Sequence, residues 1–116
     1  MDVNIDITVS KAAADFGLKV LAGGKAVDNV IKDVYIGDLL SWVMGRCPES
    51  AAWITIQGHV NIVAVALLTG ASCIIIAESA DADPDTLEKA EAEGIPVLAT
   101  ELTSYQIARK FMLVQA

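Results

Sequence analysis

Residues 51–77 contain no Lys, Arg, Asp or Glu, and that stretch limits what the rest of the chain can be. An uncharged run of this length either crosses a membrane or lies inside a folded domain. A membrane helix needs about 20 uninterrupted apolar residues. Here Gln57-Gly58-His59-Val60-Asn61 and Thr69-Gly70-Ala71-Ser72 divide the run, and glycine among small polar residues is turn chemistry. The pieces left are a strand over 52–56, an apolar helix over 61–68 and a second strand over 73–77. Ile54, Ile56 and Ile74 to Ile76 are β-branched and nearly continuous, the pattern of parallel strands buried on both faces. The stretch reads as one βαβ unit with no membrane span. Its helix carries no charge on any side, so packing on a sheet hides only part of its apolar surface.

The flanking segments extend the same theme. Thr8 and Ser10 offer caps for a short helix over 11–16 that stops at Gly17, followed by a strand over 18–21 and a turn at Gly23-Gly24. A strand over 32–36 leads to Asp38, placed to cap a helix over 39–44 that is apolar nearly all round. Beyond the uncharged run, Asp83, Pro84 and Gly94 bracket a solvated helix as N-cap, first position and stop. The last strand covers 95–99, with Pro96 near its start. Thr103 and Gln106 form a capping box for a final helix whose inner face holds Ile107, Ala108, Phe111 and Met112. From Lys32 onward, strand and helix alternate four times. Short connections in that order predict right-handed crossovers and an α/β fold: a small, mostly parallel sheet with helices on both faces. At 116 residues the chain is expected to be a single domain over 1–116.

Composition excludes several functions. The net charge is −7 with only eight Lys and Arg, scattered along the chain, so neither a nucleic-acid surface nor an anionic-membrane surface is expected. Mean hydropathy of +0.52 is high for a small domain and favours self-association. Cys47 and Cys73 match no disulfide framework or zinc spacing and read as packing residues. Residues 1–6 show no basic region and no apolar run, so no secretory signal is expected and the default location is cytoplasmic. No cofactor or metal site is expected.

In open α/β sheets ligands bind beyond the carboxyl ends of the strands. The residues predicted there are Asp38, Gln57, Gly58, His59, Asn61, Glu78, Ser79, Thr100 and Glu101, which form the candidate ligand set. His59, the one histidine, falls at a strand-to-helix turn, where it either contacts a ligand or bonds backbone. A small enzyme using His59 as acid or base with Glu78 or Glu101 is the weakest reading, since two solvated acids explain those positions. Trp42, Trp53, Val63 and Leu67 are candidate interface residues. For the tryptophans a core position with a partner for each indole N–H is the equal alternative.

The segments Val34-Tyr35-Ile36-Gly37-Asp38-Leu39-Leu40, Trp53-Ile54-Thr55-Ile56, Ala64-Val65-Ala66-Leu67, Cys73-Ile74-Ile75-Ile76 and Gly94-Ile95-Pro96-Val97-Leu98 together resemble the DRTGG domain. That family accompanies the kinase domain of HPr kinase/phosphorylase, the catalytic part of some phosphotransacetylases and the CBS region of some family II pyrophosphatases. The resemblance implies a small parallel α/β sandwich like the N-terminal domain of muramyl ligases, with a regulatory or associative role and no catalysis of its own. Where the family shows Asp-Arg this chain has Gly58-His59, and where it shows Thr-Gly-Gly this chain has Ala77-Glu78-Ser79. All five signature letters are replaced. The expectation is a stand-alone, non-catalytic homodimer that modulates a metabolic enzyme or other protein, with a small ligand as a modulator. The alternative is a nucleotide or metabolite sensor binding at the strand ends.

Overall fold

The computed structural model describes residues 5–113; most of segment 1–6, read above for a secretory signal, lies outside them. In chain order the elements are β1 (Ile7–Thr8), α1 (Val9–Phe16), β2 (Lys19–Ala22), β3 (Val30–Ile31), β4 (Asp33–Ile36), α2 (Leu40–Arg46), β5 (Ala51–Thr55), α3 (Asn61–Thr69), β6 (Cys73–Ile76), α4 (Pro84–Glu93), β7 (Val97–Ala99) and α5 (Ser104–Met112). The main sheet has the order β2-β7-β6-β5-β4. Strands β4 to β7 run parallel and β2 pairs antiparallel with β7, Lys19 opposite Ala99. A separate two-stranded ribbon pairs β1 with β3. The chain is thus an α/β fold with a mostly parallel sheet, as the alternation from Lys32 predicts. Among the described residues no helix is long and apolar enough to cross a membrane.

Strand pleating sorts the central residues into two cores. Trp53, Ile74, Ile76 and Val97 face α2, α3 and α4, packing with Val43, Ile62, Val63, Ala66 and Ala90. Ala52, Ile54, Cys73, Ile75 and Leu98 face the other way, onto Val9 and Ala12 of α1 and Ile107 and Phe111 of α5. Phe111 meets Phe16 edge-on, ring centroids 4.9 Å apart. Burial also explains both cysteines: neither is in a disulfide, and desolvation pushes the Cys73 thiol up to about 12.

Helix ends follow local chemistry in most places. Thr8 caps α1 by accepting from Lys11 N at 3.1 Å, and Thr103 and Gln106 form the predicted capping box. Gly17, Gly70 and Gly94 close α1, α3 and α4 in left-handed conformation. Asp83 and Pro84 begin α4, although the Asp83 side chain makes no cap bond. Three expectations need correction. Asp38 does not cap α2, whose N-cap position is Leu39 without a side-chain bond; its carboxylate is drawn to the end of β5 instead. Ile56 lies past β5 and is exposed. Trp53 and Val63 are completely buried inside the chain, so neither can touch a second copy, whereas Trp42 and Leu67 are exposed. Trp53 has the core role with a satisfied indole: its Nε1–H donates to the Gly37 carbonyl at 2.9 Å.

Replacing Trp53 by Phe removes that hydrogen bond and part of a fully enclosed ring system. The expected loss is about 1–3 kcal/mol, read as a lower midpoint in urea denaturation. An unchanged midpoint contradicts the core assignment.

Candidate functional site

The carboxyl ends of β5, β6 and β7 are built from three loops that bind one another. At the end of β5, Thr55 is a fully buried polar residue and must satisfy its hydroxyl internally. It donates to Asp38 Oδ1 at 2.8 Å, and the same oxygen accepts from Ile56 N at 2.9 Å. Gln57 Nε2 donates to the Asp38 carbonyl at 3.0 Å. Asp38 therefore ties the loop after β4 to the end of β5.

Gly58 ties β5 to the next loop. A Cβ at this position would overlap the Asp81 carbonyl, so only glycine allows the approach. The Gly58 carbonyl accepts from Asp83 N at 3.0 Å and from the buried Thr86 hydroxyl at 2.7 Å. His59 is exposed, and its Nδ1 accepts from Asn61 N at 3.1 Å. That bond requires Nδ1 without a proton and gives His59 a local role at the start of α3.

The loop after β6 contains two consecutive non-glycine residues in left-handed conformation, Glu78 (φ 59°) and Ser79 (φ 56°). Glu78 N donates to the Leu102 carbonyl at 2.8 Å and Ser79 N to the Thr100 carbonyl at 3.0 Å. In turn Thr100 Oγ1 accepts from Leu102 N at 3.1 Å. These hydrogen bonds hold a backbone shape that costs L-residues about 1–2 kcal/mol each.

A cavity of about 720 Å³ opens beside this turn. Of the predicted set it brings together Ser79, Thr100 and Glu101, with Glu78 next to Ser79 in the same loop. Asp38, Gln57, Gly58, His59 and Asn61 belong to the neighbouring β5 end and do not line it. Sequence reasoning missed Phe16, Lys19, Leu21, Asp81 and Lys110, all of which do. Lys19 and Leu21 alternate along β2, and because β2 is antiparallel its start, not its end, reaches the carboxyl end of β7. No local signal marks that reversal. The one usable hint is that Lys110 and Phe111 stand side by side in α5, so a buried Phe111 leaves its neighbour on another face.

Ser79→Gly should relieve the left-handed strain at a smaller entropic cost, for a net gain of about 0.5–1 kcal/mol. The measurement is the thermal midpoint, expected to rise by a few degrees. A fall would mean that the Ser79 side chain contributes more than its backbone costs.

Comparisons with known proteins agree with this architecture. No curated protein matches the sequence. Among solved structures, the CBS and DRTGG domains of the regulatory region of Clostridium perfringens pyrophosphatase, complexed with activator, diadenosine tetraphosphate, superpose with a TM-score of 0.71 at 14% identity. The match covers 90% of this chain and 46% of that one, so this chain spans less than half the length of that structure. At such identity the likeness shows the fold. A family model described as the DRTGG domain matches residues 11–114. With nearly the whole sequence inside that match and the fold in agreement, the chain belongs to the DRTGG domain family.

Proposed function

We propose that residues 1–116 act as one non-catalytic regulatory or association module that works as a homodimer and modulates a partner protein. The carrying observation is an apolar surface on α2 and α3, two helices that pack on each other. Leu39 is 61% exposed, Trp42 54%, Leu67 45% and Leu68 75%. The α3 residues Ala64, Leu67 and Leu68 follow helical spacing on the side opposite Ile62, Val63 and Ala66. Neither helix contains Asp or Glu, so the acidic excess behind the net charge of −7 lies elsewhere; the one charge on the two helices is Arg46, whose guanidinium stacks 4.0 Å from the Trp42 ring centroid. Closed two-fold pairing is the commonest way to cover such a patch.

A non-catalytic role is supported by how the polar groups are engaged. Asp38 Oδ1 is taken by Thr55 and Ile56, and His59 Nδ1 by Asn61. A metabolic enzyme is the favoured partner class, because the structural neighbour's regulatory region belongs to a pyrophosphatase. The reading includes a cytoplasmic location, consistent with two free cysteines. A second reading, a small-molecule sensor, is favoured by the cavity beside Ser79 and Thr100.

Sedimentation at micromolar concentration should give twice the 12.2 kDa chain mass. Leu68→Lys places a cation near the C-terminus of α3, where the helix dipole tolerates it, and on the patch, where two copies would repel. It should sediment as a monomer with an unchanged circular dichroism spectrum. A monomeric wild type, or a dimeric Leu68→Lys, contradicts pairing through this face.

A further inference from the structure

We propose that the cavity at the carboxyl ends of β6 and β7 binds a nucleoside monophosphate, its phosphate held by Lys19 and Lys110. The inference deepens the sensor reading and rests on it. Among the described residues Lys11, Lys32 and Lys89 each pair with an acid, whereas Lys19, Lys25, Arg46, Arg109 and Lys110 take part in none of these ion pairs, and of the five only Lys19 and Lys110 line this cavity. Those two lysines come from β2 and α5, far apart in sequence, and both line this cavity. In a chain so poor in cations, their meeting at one cavity marks where an anion is best tolerated.

The backbone decides which groups can hold that anion. Successive left-handed residues often present their N–H groups as an anion-binding concavity. Here the Glu78 and Ser79 amides already donate to the carbonyls of Leu102 and Thr100. Phosphate recognition therefore falls to the lysine side chains, supplemented by the Ser79 hydroxyl.

Two acids complete the selection. Asp81 and Glu101 line the same cavity and oppose a polyphosphate, but a carboxylate is a good acceptor for the hydroxyls of a ribose. One phosphate matches two lysines; three phosphates exceed them. The apolar surface of Phe16 and Leu102 offers a planar base a place to pack, and the edge-on contact with Phe111 holds the Phe16 ring. The volume of about 720 Å³ falls within the usual range for small-molecule sites, ~300–1,000 Å³.

The test is ligand-observed NMR and calorimetry on the purified chain with adenosine 5′-monophosphate, adenosine, ribose 5-phosphate and adenosine triphosphate. The monophosphate should bind most tightly. Lys19→Gln and Lys110→Gln should each weaken it about tenfold, the loss of one charge-assisted hydrogen bond, and Lys19→Arg should retain binding. Absence of monophosphate binding at millimolar concentration, or equal affinity in wild type and both glutamine variants, overturns the proposal. Binding of ribose 5-phosphate with no response to the mononucleotide overturns the nucleotide assignment while leaving a sensor in place. Sedimentation of the same samples separates this outcome from dimerisation: a dimer that ignores the mononucleotide defeats only the site, and a monomer that binds it defeats only the dimer.

Discussion

Every residue of β5 and β6 is buried, and each strand must be covered on two faces at once. That requirement places α2, α3 and α4 on one side of the sheet and α1 and α5 on the other. It also concentrates apolar sequence where backbone polar groups can be satisfied only by neighbouring strands. Thr55 is the polar interruption in this pair. Burying its hydroxyl without a partner would cost about 1–3 kcal/mol, and Asp38 removes that cost by accepting from it. The most buried part of the fold thereby determines where the first polar group at the strand ends must go.

The same logic runs outward through the loops. Gly58 permits contact with Asp81, its carbonyl receives Asp83 N and Thr86, and the loop after β6 is bonded in turn to the loop after β7. The left-handed pair Glu78-Ser79 is stable here because two inter-loop hydrogen bonds over-determine it. Non-glycine residues can hold this turn provided those bonds remain. The turn thereby carries side chains: Ser79 lines the cavity and Glu78 stands next to it.

Features governed by neighbours in sequence were legible before any coordinates. The capping box at Thr103, the bracket of α4 by Pro84 and Gly94 and the alternation from Lys32 all rest on contacts within a few residues. Features governed by distant partners were not. Asp38 looks like a helix cap locally, but Thr55, 17 residues away, competes successfully for its carboxylate. Trp53 and Val63 look like interface residues because their elements lack charge, and only the sheet's pleat and the helix's rotation show that they point inward. The ribbon of β1 and β3 has two residues per strand, too few for any periodicity. The antiparallel entry of β2, which carries Lys19 and Leu21 to the cavity, leaves no local trace. The candidate site was accordingly half visible: Ser79, Thr100 and Glu101 could be placed from strand ends, while the lysines could not.

The central claim is that the strand-end loops are held by their own backbone, which leaves recognition to side chains. Native-state hydrogen exchange of the Glu78 and Ser79 amides tests it directly. Both amides donate between loops, so they should exchange slowly, with protection approaching that of the β6 amides. Exchange as fast as in an open surface loop would show these N–H groups free to meet a ligand themselves, and would contradict the account.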